Sequence, residues 1–195
     1  MNQRRSLMKN SFTTTLNSAP VYPCISTTNI DEILDNFSYD KPSESVYKII
    51  GAQVSVKTAM LTKIKEELKT MRNNEKGWIV FDINPAKNMF SQFATMLNNE
   101  GFGMSSEKET LFFDIGVEIE TMLQEVLKKN AKILITIENV SKTAEIIQFI
   151  SEYGKWLRSD YPIYLICTGT PESIQELCNT QNLAFFCRGT TIKSD

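Results

Sequence analysis

An α/β fold, a parallel sheet with helices packed on both faces, is predicted by three observations in this chain of 195 residues. Short apolar runs of strand length alternate with longer segments of helical periodicity. The runs are continuously apolar rather than alternating, as strands buried on both faces are. Polar or glycine-bearing turns separate each run from the helix that follows.

Residues 1–28 are rich in Ser, Thr, Asn and Pro and read as an N-terminal arm, which leaves 29–195 as one domain. Asn29 or Asp31 caps a short helix over 30–37, whose Ile30, Ile33, Leu34 and Phe37 form one stripe. The turn Asp40-Lys-Pro-Ser43 leads to a first strand over 45–50, rich in β-branched and aromatic residues. Ala59, Met60, Ile64, Leu68 and Met71 then follow helical spacing and leave Lys63, Lys65, Glu66, Glu67 and Lys69 on the wet side. A charged turn over 72–76 precedes a second strand over 78–82. A helix over 89–97 is broken by Gly101-Phe-Gly103, and a longer one over 114–129 turns Ile115, Ile119, Met122, Leu123 and Val126 inward. Then come a strand over 132–137, a helix over 143–157, a strand over 164–168, a helix over 172–178 and a last strand over 183–186.

A net charge of −2 with both signs interspersed gives no electrostatic footprint for nucleic acid, so direct nucleic-acid binding by this segment is not expected. The absence of histidine excludes Ser-His-Asp and Cys-His catalysis and every histidine-bearing zinc site. Cys24, Cys167, Cys178 and Cys187 lack C-x-x-C spacing and read as reduced thiols. No apolar stretch follows Arg4, Arg5 and Lys9, so a secretory signal is not expected, and no run nears the roughly 18 apolar residues of a membrane span. A soluble, cytoplasmic protein is the expectation.

The chemistry concentrates at the end of the first strand. Gly51-Ala-Gln-Val-Ser-Val-Lys57-Thr58 is one residue short of a phosphate-binding loop, G-x-x-x-x-G-K-[ST]. In such a loop the backbone N–H groups and the positive end of the next helix cradle the phosphates, the lysine reaches the outer phosphates and the hydroxyl ligates magnesium. The candidate nucleotide-binding residues are therefore Gly51, Ala52, Gln53, Val54, Ser55, Val56, Lys57, Thr58 and Ala59. Val56 is the defect, because a β-branched side chain stands where glycine lets backbone approach phosphate.

Nucleotide hydrolases of this class carry a second box, an apolar strand ending Asp-Glu. Here the third strand ends Thr136-Ile137-Glu138-Asn139, about eighty residues after the loop. Glu138 stands at the magnesium position with one methylene too many, and Asn139 stands where the base should be, although an amide cannot take a proton from water. Thr58 and Glu138 are the candidate metal ligands; Asn139 and Thr168, the latter at the end of the fourth strand, are the candidate catalytic positions.

At these residues the chain resembles a family of bacterial AAA+-type ATP-binding proteins, common in Firmicutes and related to archaeal and replication-initiator ATPases. The likeness runs through Asn10-Ser-Phe-Thr13, Asp40-Lys-Pro-Ser43, Gly77-Trp-Ile-Val80, the Asn84-Pro85 pair, Ile133-Leu-Ile-Thr-Ile-Glu-Asn-Val140 against the family's L-L-I-T-I-D-E-V, Pro162-Ile-Tyr-Leu-Ile-Cys-Thr-Gly169 and Leu183-Ala-Phe-Phe-Cys-Arg188. It implies the three-layer P-loop NTPase fold, an AAA+-like core without its lid domain. The sheet would have five parallel strands, with the phosphate-loop strand between the fourth strand and the last. Family members continue into a helical lid and a winged helix, whereas this chain stops at Asp195. Catalytic positions diverge while neutral ones match: Val54 and Val56 replace loop glycines, Glu138 an aspartate and Asn139 a glutamate.

The expectation is an AAA+-like ATP-binding domain that holds ATP and Mg2+ weakly and hydrolyses little, with an unidentified protein partner. The alternative is a pseudo-ATPase, the same fold kept as an interaction module without nucleotide. A small-molecule kinase is disfavoured because no lid with clustered arginines follows.

Overall fold

The computed structural model describes residues 27–71, 77–103 and 114–194. The segment Asn10-Ser-Phe-Thr13, Cys24 and the charged turn over 72–76 lie outside them. The chain runs α1 (Thr27–Ser38), β1 (Val46–Ile50), α2 (Val54–Met71), β2 (Trp78–Ile83), α3 (Met89–Leu97), a π-helical turn (Asn98–Phe102), α4 (Ile115–Lys128), β3 (Lys132–Ile137), α5 (Ala144–Arg158), β4 (Ile163–Gly169), α6 (Pro171–Cys178), α7 (Ala184–Arg188) and β5 (Thr190–Lys193).

The strands form one five-stranded sheet in the order β2-β3-β4-β1-β5, every pair parallel. Period-two alternation divides the side chains between two cores. On one face Tyr47, Ile49, Leu134, Tyr164 and Ile166 pack with Ile30, Ile33 and Phe37 of α1 and with Met60, Leu61, Ile64 and Leu68 of α2. On the other, Ile79, Phe81, Ile133, Ile135, Leu165 and Cys167 pack with Phe93 of α3, Leu123 of α4, Phe149 and Trp156 of α5, Leu177 of α6 and Phe186 of α7. This is the expected three-layer arrangement, with β1 between β4 and the last strand.

The last strand is not where the sequence placed it. Residues 184–188 form α7, and the strand follows at Thr190–Lys193. Leu183 and Phe186 are fully buried, three positions apart as one helical face requires. An apolar run that short has no period to separate helix from strand. Gly189 makes the join: a Cβ there would lie 2.7 Å from the Val46 carbonyl oxygen, so only glycine lets the chain pass β1 this closely. Helix α3 likewise does not stop cleanly before Gly101, but runs on as the π-helical turn until Gly101 takes φ 79°.

Burial has a consequence at alkaline pH. The Cys167 thiol, ordinarily ionising near 9.0, is pushed well up by burial. Tyr47 is raised from 10.0 to about 12 by burial and then by Glu44 and Glu32, while burial also raises Tyr153 and Tyr164. These groups keep their protons in the folded chain at pH values where the unfolded chain has released them, so stability falls as pH rises past 9. Buried Lys48, with its pKa lowered, opposes this, but it is one group against five, since burial also raises Cys178 to about 11. Urea midpoints should hold steady to about pH 8.5 and drop through pH 9–11; a midpoint constant to pH 11 would contradict the assignment.

Candidate functional site

All of the candidate residues lie at the C-terminal end of the parallel sheet, where open α/β sheets bind ligands. Strand β1 ends at Ile50, whose carbonyl accepts from Ser194 N at 2.9 Å, and Gly51 N donates to Gly169 O at 3.3 Å. Only Gly51, Ala52 and Gln53 separate β1 from α2, because Val54, Ser55 and Val56 are already helical. Ala52, Gln53, Val54 and Ser55 are exposed, Val54 to 54%, whereas Val56 is buried against the α2-side core and Ala59 is half-buried. Lys57 turns back beneath this turn: the residue is 1% exposed and its ammonium donates to Gly51 O at 2.5 Å.

Thr58 lies next on α2 and aims its hydroxyl at the neighbouring strand end. Its Oγ1 donates to Glu138 Oε2 at 2.7 Å, joining the two motifs across the separation of 80 residues. Beyond Glu138 the chain turns at Asn139, which takes φ 53°. The Asn139 N–H donates to Thr168 Oγ1 at 3.0 Å, and Val140 N donates to Thr168 O at 2.8 Å. Thr168 is buried and the Asn139 residue is exposed. Thr168 therefore fastens β4 to the turn after β3, its hydroxyl oxygen accepting one bond in doing so.

Three further residues complete the cluster. Lys65 Nζ lies 2.9 Å from Asp82 Oδ1 and 3.9 Å from Glu138 Oε1, with its side chain 14% exposed. Thr136 Oγ1 donates to the same Asp82 oxygen. Sequence reasoning placed Lys65 on the solvent side and Asp82 merely at a strand end. A signal was present: Lys65 is two helical turns beyond Thr58 on the same face, and Asp82 is the penultimate residue of the strand beside the one that leads to Glu138.

The donor set suits a phosphate anion at the start of α2, where the first N–H groups of a helix lack intrahelical partners and Lys57 supplies positive charge. A span of three residues is too short to arch around a polyphosphate as a loop of the full motif does, so that ligand requires the first turn of α2 to unwind. Magnesium does not fit the same test. One Glu138 oxygen holds the Thr58 hydroxyl and the other faces the Lys65 ammonium, which would repel a divalent ion.

No protein-family model matches the sequence, and no curated protein is significantly similar to it. Solved structures do match. Cdc6p from Pyrobaculum aerophilum aligns with TM-score 0.63 at 11% identity over 93% of this chain and 48% of its own. The Aeropyrum pernix ORC2 protein, in ADPNP–ADP complexes, aligns with TM-score 0.58 at 11% identity over 86% of this chain and 46% of its own. Drosophila ORC bound to GC-rich DNA and Cdc6 aligns with TM-score 0.61 at 10% identity over 100% of this chain and 36% of its own. The chain thus has the fold of the AAA+ ATPases of the Cdc6 and ORC type and spans about half the length of the first two matched structures, and less of the third. Among the described residues no helix is long and apolar enough to cross a membrane.

Proposed function

We propose that this chain is an AAA+-like P-loop domain that binds the phosphates of ATP weakly and hydrolyses it negligibly. The observation that carries this is the convergence of the two motifs: Lys57 and Thr58 open α2 beside Glu138, with Thr58 hydrogen-bonded to Glu138 at 2.7 Å. Chance letters at the matching spacing would have no reason to meet at the ligand-binding end of a parallel sheet. Lys57 and the start of α2 receive the phosphates, while Asn139, lacking a basic side chain, leaves the attacking water unprepared. Binding is weak because the competent form must unwind a turn and re-expose Lys57, and apparent affinity falls by the fraction of molecules in that form.

Calorimetry with ATP should give a dissociation constant weaker than about 100 μM, which is less than about 5.5 kcal/mol of binding energy. Phosphate release should match that of a Lys57→Met control. Nanomolar affinity, or ordinary turnover lost in the control, would overturn the reading. No heat at millimolar ATP would favour the pseudo-ATPase module, for which the helical start of α2 at Val54 speaks.

A soluble, cytoplasmic location and an unidentified protein partner belong to the same proposal. Two of the matched structures contain DNA, one of Aeropyrum pernix ORC1 and one of Drosophila ORC, but this chain spans less than half of either, and its own net charge is −2. DNA contact by this segment is therefore no part of the proposal.

A further inference from the structure

Between α2 and the ends of β2 and β3, two carboxylates face one ammonium group, and a threonine hydroxyl is bonded to each carboxylate. Asp82 and Glu138 bring the carboxylates, Thr58 and Thr136 the hydroxyls, and Lys65 stands among them at 2.9 Å from Asp82 and 3.9 Å from Glu138. Lys65 is held in place rather than waving in solvent: its side chain is 14% exposed, and its aliphatic stem lies on a helix whose other face is packed into the core. The hydroxyls complete the set, Thr58 on the second oxygen of Glu138 and Thr136 on the oxygen of Asp82 that Lys65 also engages. Remove the ammonium, and two carboxylates remain facing the space it held, each fixed by a threonine hydroxyl, hard oxygen donors of the kind that divalent cations take.

We propose that Lys65 is a built-in substitute for the divalent cation, so that the site carries its own positive charge and takes phosphate without metal. A lysine ammonium is a compact point charge with three donors, matched to two carboxylates. It excludes a divalent ion by like-charge repulsion at close range. The phosphate half of the proposal rests on the ATP-binding reading above, whereas the exclusion of metal does not.

The test therefore has two arms. In the first, without nucleotide, Mn2+ is titrated into the protein and the free ion is followed by its paramagnetic resonance signal. The native chain should leave the signal untouched to about 1 mM, while Lys65→Met, which keeps the stem, should bind Mn2+ at least about ten-fold more tightly than native. Lys65→Gln serves as a second variant, and circular dichroism reports whether each folds. Native binding well below 1 mM, or a folded variant that binds no better than native, overturns the proposal; if neither variant folds, the native titration alone decides. In the second arm, ATP affinity of the native chain should be the same in Mg2+ and in EDTA, and a loss of ten-fold or more in EDTA overturns the metal-free site. Failure to bind ATP at all would sink the ATP-binding reading and leave the Mn2+ result standing.

Discussion

Replacing Lys48 with alanine should destabilise the chain by about 3–5 kcal/mol, the largest loss expected of any single polar side chain here. Lys48 is on the central strand β1 and is 1% exposed, yet it has no carboxylate partner among the described residues. Its ammonium donates instead to Phe186 O at 2.9 Å and Cys187 O at 2.7 Å, and lies 5.5 Å from the centre of the Phe186 ring. Helix α7 is five residues long, far below the length at which helix propensity sustains itself, so these bonds close it together with the Gly189 N–H, which donates to Phe185 O and Phe186 O. Truncation removes the stem packing, takes a donor from the Phe186 and Cys187 carbonyls, the first of which still accepts from Gly189 N, and loosens the approach to β5, which pairs only with β1. Lys48→Met should cost less, about 2–3 kcal/mol, since it keeps the stem and relieves a buried charge whose pKa burial already pulls down. Urea denaturation at pH 7 reads both. A loss under about 1 kcal/mol for the alanine variant would show that α7 is held by other contacts.

That lysine marks where sequence reading reached its limit. The alternation of apolar runs and amphipathic segments carried the layers, and strand order followed from family likeness, because core strands such as Lys132–Ile137 and Ile163–Gly169 are too uniformly apolar to be anything but doubly covered. Lys48 sits inside such a run, and nothing local reveals that it pairs with carbonyls 138 and 139 residues away. The misplaced last strand has the same origin: residues 183–188 are apolar enough for either state, and packing of Leu183 and Phe186 decided for helix.

At the site, the positions were legible and the conformations were not. The motif spacing placed Thr58 opposite Glu138, where the two are hydrogen-bonded. The same spacing implied an open phosphate loop, but without the second glycine the residues Val54-Ser-Val56 continue the helix backwards, since each accepts helical dihedrals and Val56 gains burial by doing so. Lys65 escaped notice because periodicity assigns a side to a residue, not the length to which its side chain reaches.

Val56→Gly should therefore have opposite effects on stability and on ligand affinity. Val56 is 8% exposed in the core shared by α1 and α2, so glycine removes a buried isopropyl group, roughly 1.5–3 kcal/mol, and adds backbone entropy of about 0.5–1 kcal/mol. The folded chain should lose about 2–4 kcal/mol in urea denaturation. Most of that loss falls on the closed form, in which residues 54–56 are helical and Val56 is packed; an unwound form that reaches around phosphate gains little from the valine. Whatever the closed form loses and the open form does not is returned as a larger competent fraction. A difference of 1.4 kcal/mol is ten-fold, so ATP affinity should rise about ten-fold or more in the variant despite its lower stability. Calorimetry on both chains, with the denaturation series run with and without ATP, measures the two effects separately, because a ligand bound only by the folded state raises its stability by mass action. Equal or weaker ATP binding by a folded Val56→Gly chain would mean that the helical start of α2 is not what limits access, and that Val56 is simply a core residue at the head of a helix.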